Sequence, residues 1–92
     1  MKVIIREAAY ADLDRIYAWI ATDNPRAAHS VIERILDAAE LLGRHPYIGH
    51  TGRARSTYEW VVRNTPYVVV YTIDPDENLL VVVAVFHGAQ NR

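Results

Sequence analysis

The chain contains no cysteine, so disulfides and thiolate chemistry are both excluded. That absence is compatible with a reducing cytoplasm. Long hydrophobic runs are also missing. The longest, Leu79 to Phe86, is far too short to cross a bilayer as a helix. The opening "MKVIIREAAYADLD" has one early base and a short apolar run, but acids follow and no signal-peptide core develops. A soluble intracellular protein with no membrane partner is therefore expected. Neither Gly-x-Ser-x-Gly nor a phosphate-cradling glycine loop occurs. The histidines, at 29, 45, 50 and 87, include no pair at the i,i+4 spacing of a helical zinc site. No metal and no cofactor are expected. No internal repeat, low-complexity tract or linker interrupts the sequence.

What remains is a globular composition. Of 92 residues, 51% are hydrophobic and 23% charged, enough apolar material for a core and too little charge for disorder. A chain of this length divided in two would leave neither half able to offset its chain entropy, so residues 1–92 are expected to form one domain. The net charge of -1 conceals a segregation. Residues 1–43 carry -2, residues 44–63 carry +3 and residues 64–92 carry -2. A central basic stretch of this kind attracts anionic partners even on a near-neutral protein.

"KVIIR" is a short β-branched run and reads as a first strand. Next, Tyr10, Leu13, Ile16, Tyr17 and Ile20 recur at the period of one helix face. Asp12 and Asp14 lie near its start, where the helix dipole favours acids. "TDNP" breaks that helix and starts another, with Asp23 or Asn24 as cap and Pro25 in the first turn. The second helix repeats the spacing through Ala28, Val31, Ile32, Ile35, Ala39 and Leu42. Gly43 is the expected left-handed stop, with Pro46 beyond it. "GRHPYIGHTGRARST" reads as a loop. "YEWVVR", "PYVVVYTI" and "LLVVVAVFH" read as three strands, the last two joined by a "DPDEN" turn. Their valine triplets imply cover on part of both faces. The class is α+β, in the order β-α-α-β-β-β: a helical hairpin on a small, curved, mostly antiparallel four-stranded sheet. One hairpin covers one sheet face, so apolar surface should remain open near the helices and the sheet margin, beside the basic stretch.

Arg44, Arg53, Arg55 and Arg63 suit phosphate or an acidic protein segment; the alternative is a solvated basic loop. Arg63 differs from the loop arginines because it closes a strand. His87 ends the last strand. Histidine side chains change charge near neutrality and serve as general acid–base groups, although a strand-ending histidine also serves simply to satisfy hydrogen bonds. Tyr67 and Tyr71 share one parity and therefore one face, more in keeping with packing than with base stacking. Trp19 and Trp60 read as core-edge anchors or parts of a partner-binding patch.

Four segments in this order, "AYADLDRIYAWI" (9–20), "HPYIGHTGR" (45–53), "TPYVVVYTI" (65–73) and "VFHGAQ" (85–90), resemble the RelE/ParE superfamily of type II toxin–antitoxin (plasmid stabilisation) modules. The resemblance spans almost the whole chain. It implies a cytoplasmic growth-inhibiting toxin held in a hetero-oligomer with a cognate antitoxin. RelE-like members act at the ribosome and cut mRNA; ParE-like members are associated with poisoning DNA gyrase. Residue by residue, Arg63 matches the arginine that ribonuclease members aim at phosphate, and His87 a terminal histidine of one branch. These two are the catalytic residues if the protein is a ribonuclease. Gly88 stands where that branch has tyrosine, and Ile48 where it has a glutamate general base. Tyr58-Glu59 stands where the family often has an arginine before the glutamate. Arg44, Arg53, Arg55, Glu59 and Trp60 are assigned to target or antitoxin binding. The incomplete acid–base set tips the expectation to the ParE-like, gyrase-directed branch. The RelE-like endoribonuclease and a non-toxic antitoxin-binding module are the alternatives.

Overall fold

The structure, a computed structural model, describes residues 1–89. Gln90, the last residue of the "VFHGAQ" segment, lies outside the described residues. The elements run β1 (Lys2–Ile5), α1 (Glu7–Ala21), α2 (Pro25–Arg44), β2 (His50–Thr51), β3 (Tyr58–Val61), β4 (Tyr67–Asp74) and β5 (Leu79–His87). The strands form one sheet in the order β1-β5-β4-β3-β2. β1 lies parallel to β5 and every other pairing is antiparallel. The sheet thus has five strands rather than the expected four. The addition is the two-residue β2, which pairs His50 with Glu59 and Thr51 with Tyr58 inside the glycine-rich loop. A strand that short carries no period-2 signal to read.

The helical hairpin forms as its punctuation implies. Asn24 is the N-cap of α2 and accepts the Ala27 N–H at 3.1 Å, with Pro25 next in line. Pro25 lacks an N–H that would have no helical partner there. At the other end α2 continues through Gly43 to Arg44. Gly43 is therefore not a left-handed stop; among the described residues positive φ falls on Ser56, Asn64 and Asn78. Gly43 is needed instead for closeness. A Cβ there would sit 2.6 Å from Val3 Cγ2 and 3.1 Å from the Met1 carbonyl. The missing side chain lets the end of α2 touch β1, and the Met1 nitrogen donates to the Gly43 carbonyl at 2.8 Å.

Helices and sheet share one core. Leu13 and Ile16 from α1, Ile35, Ala39 and Leu42 from α2, and Val69, Tyr71, Leu80, Val82 and Val85 from the sheet form a single buried cluster. Ile20 and Val31 pack against its margin half-buried. Tyr10 and Tyr17 do not belong to this face. They are 53% and 42% exposed, and the small Ala9 is buried instead, which brings the start of α1 close to the sheet. Trp19 is 78% exposed, so it is no core-edge anchor, whereas Trp60 packs against the cluster half-buried. In β4, Tyr67 to Tyr71 are all buried, as the valine triplet implied for a strand covered on both faces.

One irregularity organises the last strand. Val70 pairs with Ala84 but Tyr71 pairs with Val82, leaving Val83 as an extra residue in β5. An extra residue in one strand reverses the facing of everything beyond it. Leu80 and Val82 point into the helix-side core, and after the bulge so does Val85. Even positions give way to odd ones. His87, two residues on, therefore lies on the helix side rather than the opposite face.

Ile35 is 2% exposed at the centre of the cluster. Ile35→Val is expected to cost about 1 kcal/mol in a urea melt, from lost methylene burial and a small cavity. Ile35→Asp is expected to abolish the cooperative transition, because it buries an unpaired charge. A cooperative melt of Ile35→Asp with the wild-type midpoint would show that this face is not packed.

Candidate functional site

The strand register separates the residues singled out by sequence into two groups. Tyr67 faces His87 across the β4–β5 ladder at one end of the sheet, and Asp74 faces Leu79 at the other. Arg63 belongs to the turn between β3 and β4, where Val62 N–H donates to the Tyr67 carbonyl and Thr65 N–H to the Val62 carbonyl. Gly88 N–H then donates to the Pro66 carbonyl at 2.6 Å. Arg63 and His87 therefore share one end of the sheet. Arg63 occupies an exposed turn rather than a strand position. Arg53 and Arg55 lie in the β2–β3 loop, next to Tyr58, which pairs with Tyr71. Tyr67 and Tyr71 are about 13 Å apart along β4. The basic stretch is thus divided between the two ends, not gathered beside the last strand.

At the His87 end, α1 and the last residues of β5 enclose a groove of about 820 Å³, whose lining includes Asp12, Arg15, Trp19, Tyr67, Val85 and His87. β1 stops pairing at Val82, so β5 runs on past its neighbour. The next outward N–H, that of Val85, donates to Asp12 Oδ2 at 2.9 Å. The other Asp12 oxygen pairs with Arg15. Asp12 thus lies not at the helix start, which is Glu7, but one turn along, where its carboxylate ties α1 to the strand. His87 packs edge-on to Tyr67, with ring centroids 5.4 Å apart. Its Nδ1 accepts the Ala89 N–H at 3.0 Å. That bond leaves the proton of the neutral ring on Nε2.

The opposite end is organised by tyrosines. Tyr71 stacks on Tyr58 at 5.5 Å and 22°, and Tyr58 meets Tyr47 edge-on at 6.1 Å. The Tyr71 hydroxyl donates to the Pro46 carbonyl at 2.8 Å and accepts the Gly49 N–H at 3.2 Å. Burial pushes the Tyr71 phenol above its usual value, and the Gly49 bond opposes that shift. Burial raises Tyr67 likewise. A phenol is neutral at physiological pH even unshifted, and burial moves both further from ionisation. Glu59, 13% exposed at its side chain, accepts the Arg53 N–H at 3.2 Å and lies 3.8 Å from His50 Nε2. It orders the loop from within. Arg44, in the last turn of α2, joins Arg53 and Arg55 as an exposed cation.

Two participants are not legible in the sequence. Asp12 was read as a dipole partner, and nothing in the local pattern shows that its acceptor duty lies 73 residues away. The Gly49–Tyr71 bond spans 22 residues and is equally invisible. Of the two roles open to Trp19 in the sequence, core-edge anchor or part of an exposed patch, its place in the groove lining fits the second. Among the described residues no group of three potential metal ligands comes together. No helix among the described residues is long and apolar enough to cross a membrane.

A helical hairpin on a sheet of this order fits the fold that the RelE/ParE resemblance of the sequence implies. Comparison with known proteins agrees. A sequence model of the ParE toxin of the type II toxin–antitoxin system parDE matches residues 3–92. The candidate toxin Y4kP of Sinorhizobium fredii is 41% identical over 71 residues, covering 77% of this chain and 74% of that protein. In three dimensions the chain is similar to a protein of the chromosomal ParDE system of P. aeruginosa, with a TM-score of 0.81, 16% identity and 95% of each chain covered. It is similar also to the toxin–antitoxin complex RelBE2 of Mycobacterium tuberculosis, at TM-score 0.64 and 25% identity over 97% of this chain and 92% of that one. The isolated E. coli RelE toxin aligns at TM-score 0.70 and 14% identity, over 99% and 87%. The chain belongs to the ParE toxin family.

The Asp12 tie is open to test. Asp12→Ala leaves the Val85 N–H, on a residue 5% exposed, without its acceptor. The expected loss is about 1–3 kcal/mol in a urea melt, with faster amide exchange at Val85. Asp12→Asn keeps an acceptor oxygen and is expected to lose less. Equal stability of all three proteins would show that the tie contributes nothing.

Proposed function

We propose that this ParE-family toxin is cytoplasmic, inhibits growth by acting on DNA gyrase, and is held inactive in a hetero-oligomer by a cognate antitoxin. The observation that carries the reading is the ParE match over residues 3–92. The chemistry of the site agrees with a binding rather than a cutting role. RNA cleavage by 2′-hydroxyl attack needs stabilisation of transition-state charge and usually proton transfer. His87 is one proton-transfer group, with Nδ1 engaged by the Ala89 N–H. The places where a second is expected hold Gly88 and Ile48.

The RelE-like ribonuclease is the second reading, favoured by one observation: the sheet brings the Arg63 turn and His87 to the same end. Arg63 would then stabilise developing charge on phosphate and His87 would move the proton. Induced expression without antitoxin separates the readings. DNA-damage signalling with intact mRNA is expected. Site-specific mRNA cleavage at the ribosome, lost with Arg63→Ala and slowed on the order of a hundredfold by His87→Ala, would replace the gyrase reading with the ribonuclease. Normal growth would point to a non-toxic antitoxin-binding module.

Structures similar to this one include the intact E. coli RelBE toxin–antitoxin complex, which supports an antitoxin as the partner here. An amphipathic acidic segment long enough to run from one end of the sheet to the other would lay apolar residues in the Trp19 groove and carboxylates near Arg53 and Arg55. Charge reversal at both arginines is expected to slow association with the product of the neighbouring reading frame and to flatten its salt dependence. An unchanged rate and slope would remove the cationic loop from the interface.

A further inference from the structure

We infer that Tyr71 is the positioning residue of the cationic loop: its phenol holds the Pro46–Arg53 segment so that Arg53 and Arg55 meet an anionic partner already in place. The inference rests on the reading of that loop as a docking surface, and goes beyond it by assigning how the surface is kept ready.

Tyr71 is fully buried, and its ring is satisfied by packing in the core cluster and against Tyr58. Phenylalanine would fill the same space. The hydroxyl is the part that packing does not explain, and both of its hydrogen bonds go to the loop. It donates to the Pro46 carbonyl and accepts the Gly49 N–H, gripping the backbone at two points three residues apart. Between them, Ile48 N–H returns to the His45 carbonyl at 3.2 Å. Gly49 is shaped for this grip. A Cβ there would collide with the Tyr71 hydroxyl and approach the Glu59 carbonyl to 2.9 Å.

The hold then passes outward along the chain. His50 and Thr51 pair with β3, Gly52 N–H donates to the Thr57 carbonyl at 2.8 Å, and Glu59 accepts the Arg53 N–H. The Thr57 hydroxyl donates to the Ala54 carbonyl at 2.6 Å and closes the tip that carries Arg55. The phenol fixes the segment between α2 and β2 at Pro46 and Gly49. Tyr58 and Glu59 of β3 hold the next residues, and the Thr57 bonds close the tip beyond them. The arginines themselves remain exposed. A loop of like charges left free would have to be ordered on binding, at a cost in chain entropy that subtracts from affinity. A preformed loop avoids that cost, and its benefit appears in the association rate.

The test compares Tyr71→Phe, Gly49→Ala and the Arg53→Glu/Arg55→Glu pair, each first shown to melt cooperatively. Amide exchange is read at Gly49, Arg53 and Val69. Association is measured with the product of the neighbouring reading frame over a range of salt. Tyr71→Phe is expected to accelerate exchange at Gly49 about tenfold, leave Val69 unchanged, and slow association severalfold without altering its salt slope, since no charge has moved. Gly49→Ala, which opposes the same contact from the other side, is expected to do likewise. The double charge reversal is expected to flatten the slope and leave Gly49 exchange as it was. An unchanged amide protection factor at position 49 in both Tyr71→Phe and Gly49→Ala overturns the positioning role. Faster exchange with wild-type association in these two, while the charge reversal still slows binding, also overturns it, because the loop would then be used without being preformed. If the charge reversal itself leaves association untouched, the docking surface fails and the inference with it.

Discussion

The arrangement of the groove at the His87 end depends on one extra residue in β5. Without Val83 out of register, strict alternation would send Val85 and His87 to the face away from the helices, and the apolar parity that buries Leu80 and Val82 would continue unbroken to the end of the strand. The bulge lets a single strand serve the core twice, first through even positions and then through odd ones. It also falls where β1 ends, so the strand changes both its facing and its neighbour at one place. The groove against α1 exists because the second half of β5 has a helix beside it rather than another strand.

A sheet edge left without a partner exposes donors and acceptors that invite unwanted pairing. Here a side chain stands in for the missing strand. Asp12 accepts the Val85 N–H, and its second oxygen is occupied by Arg15, so the charge that would otherwise be costly near the core is shared with a cation and a backbone dipole. Tyr71 plays a corresponding part at the other end, where its hydroxyl bonds the loop backbone at Pro46 and Gly49. In each case a residue fixed by regular structure extends its hold to a segment that regular structure does not reach.

The fold was legible in the sequence to the extent that period and punctuation carried it. The helices followed from apolar spacing and from the Asn24-Pro25 start, and the long strands from valine triplets separated by turn chemistry. Where the reading failed, the deciding contact lay far away in the chain. Gly43 has the composition of a helix stop, yet Val3 and Met1 decide its role, and neither is visible from position 43. Tyr10 and Tyr17 fit the helical period but lie on the flank of the stripe, where a ring has room to stay outside. The site was less legible than the fold. Arg63 and His87 stand 24 positions apart, and only the register of β3, β4 and β5 brings them to one end. Arg53 and Arg55, much closer to Arg63 in sequence, go to the other.

The two tryptophans sit in contrasting surroundings. Trp60 packs half-buried against the core, whereas Trp19 stands 78% in solvent at the lip of the groove. An indole in water emits at longer wavelength than one in an apolar setting. The molecule therefore carries two optical reporters without any label: Trp60 follows the integrity of the core, and Trp19 shifts to the blue when something occupies the groove. A change confined to the red component would register occupancy with the fold undisturbed, and substitution of either indole by phenylalanine would separate the two signals.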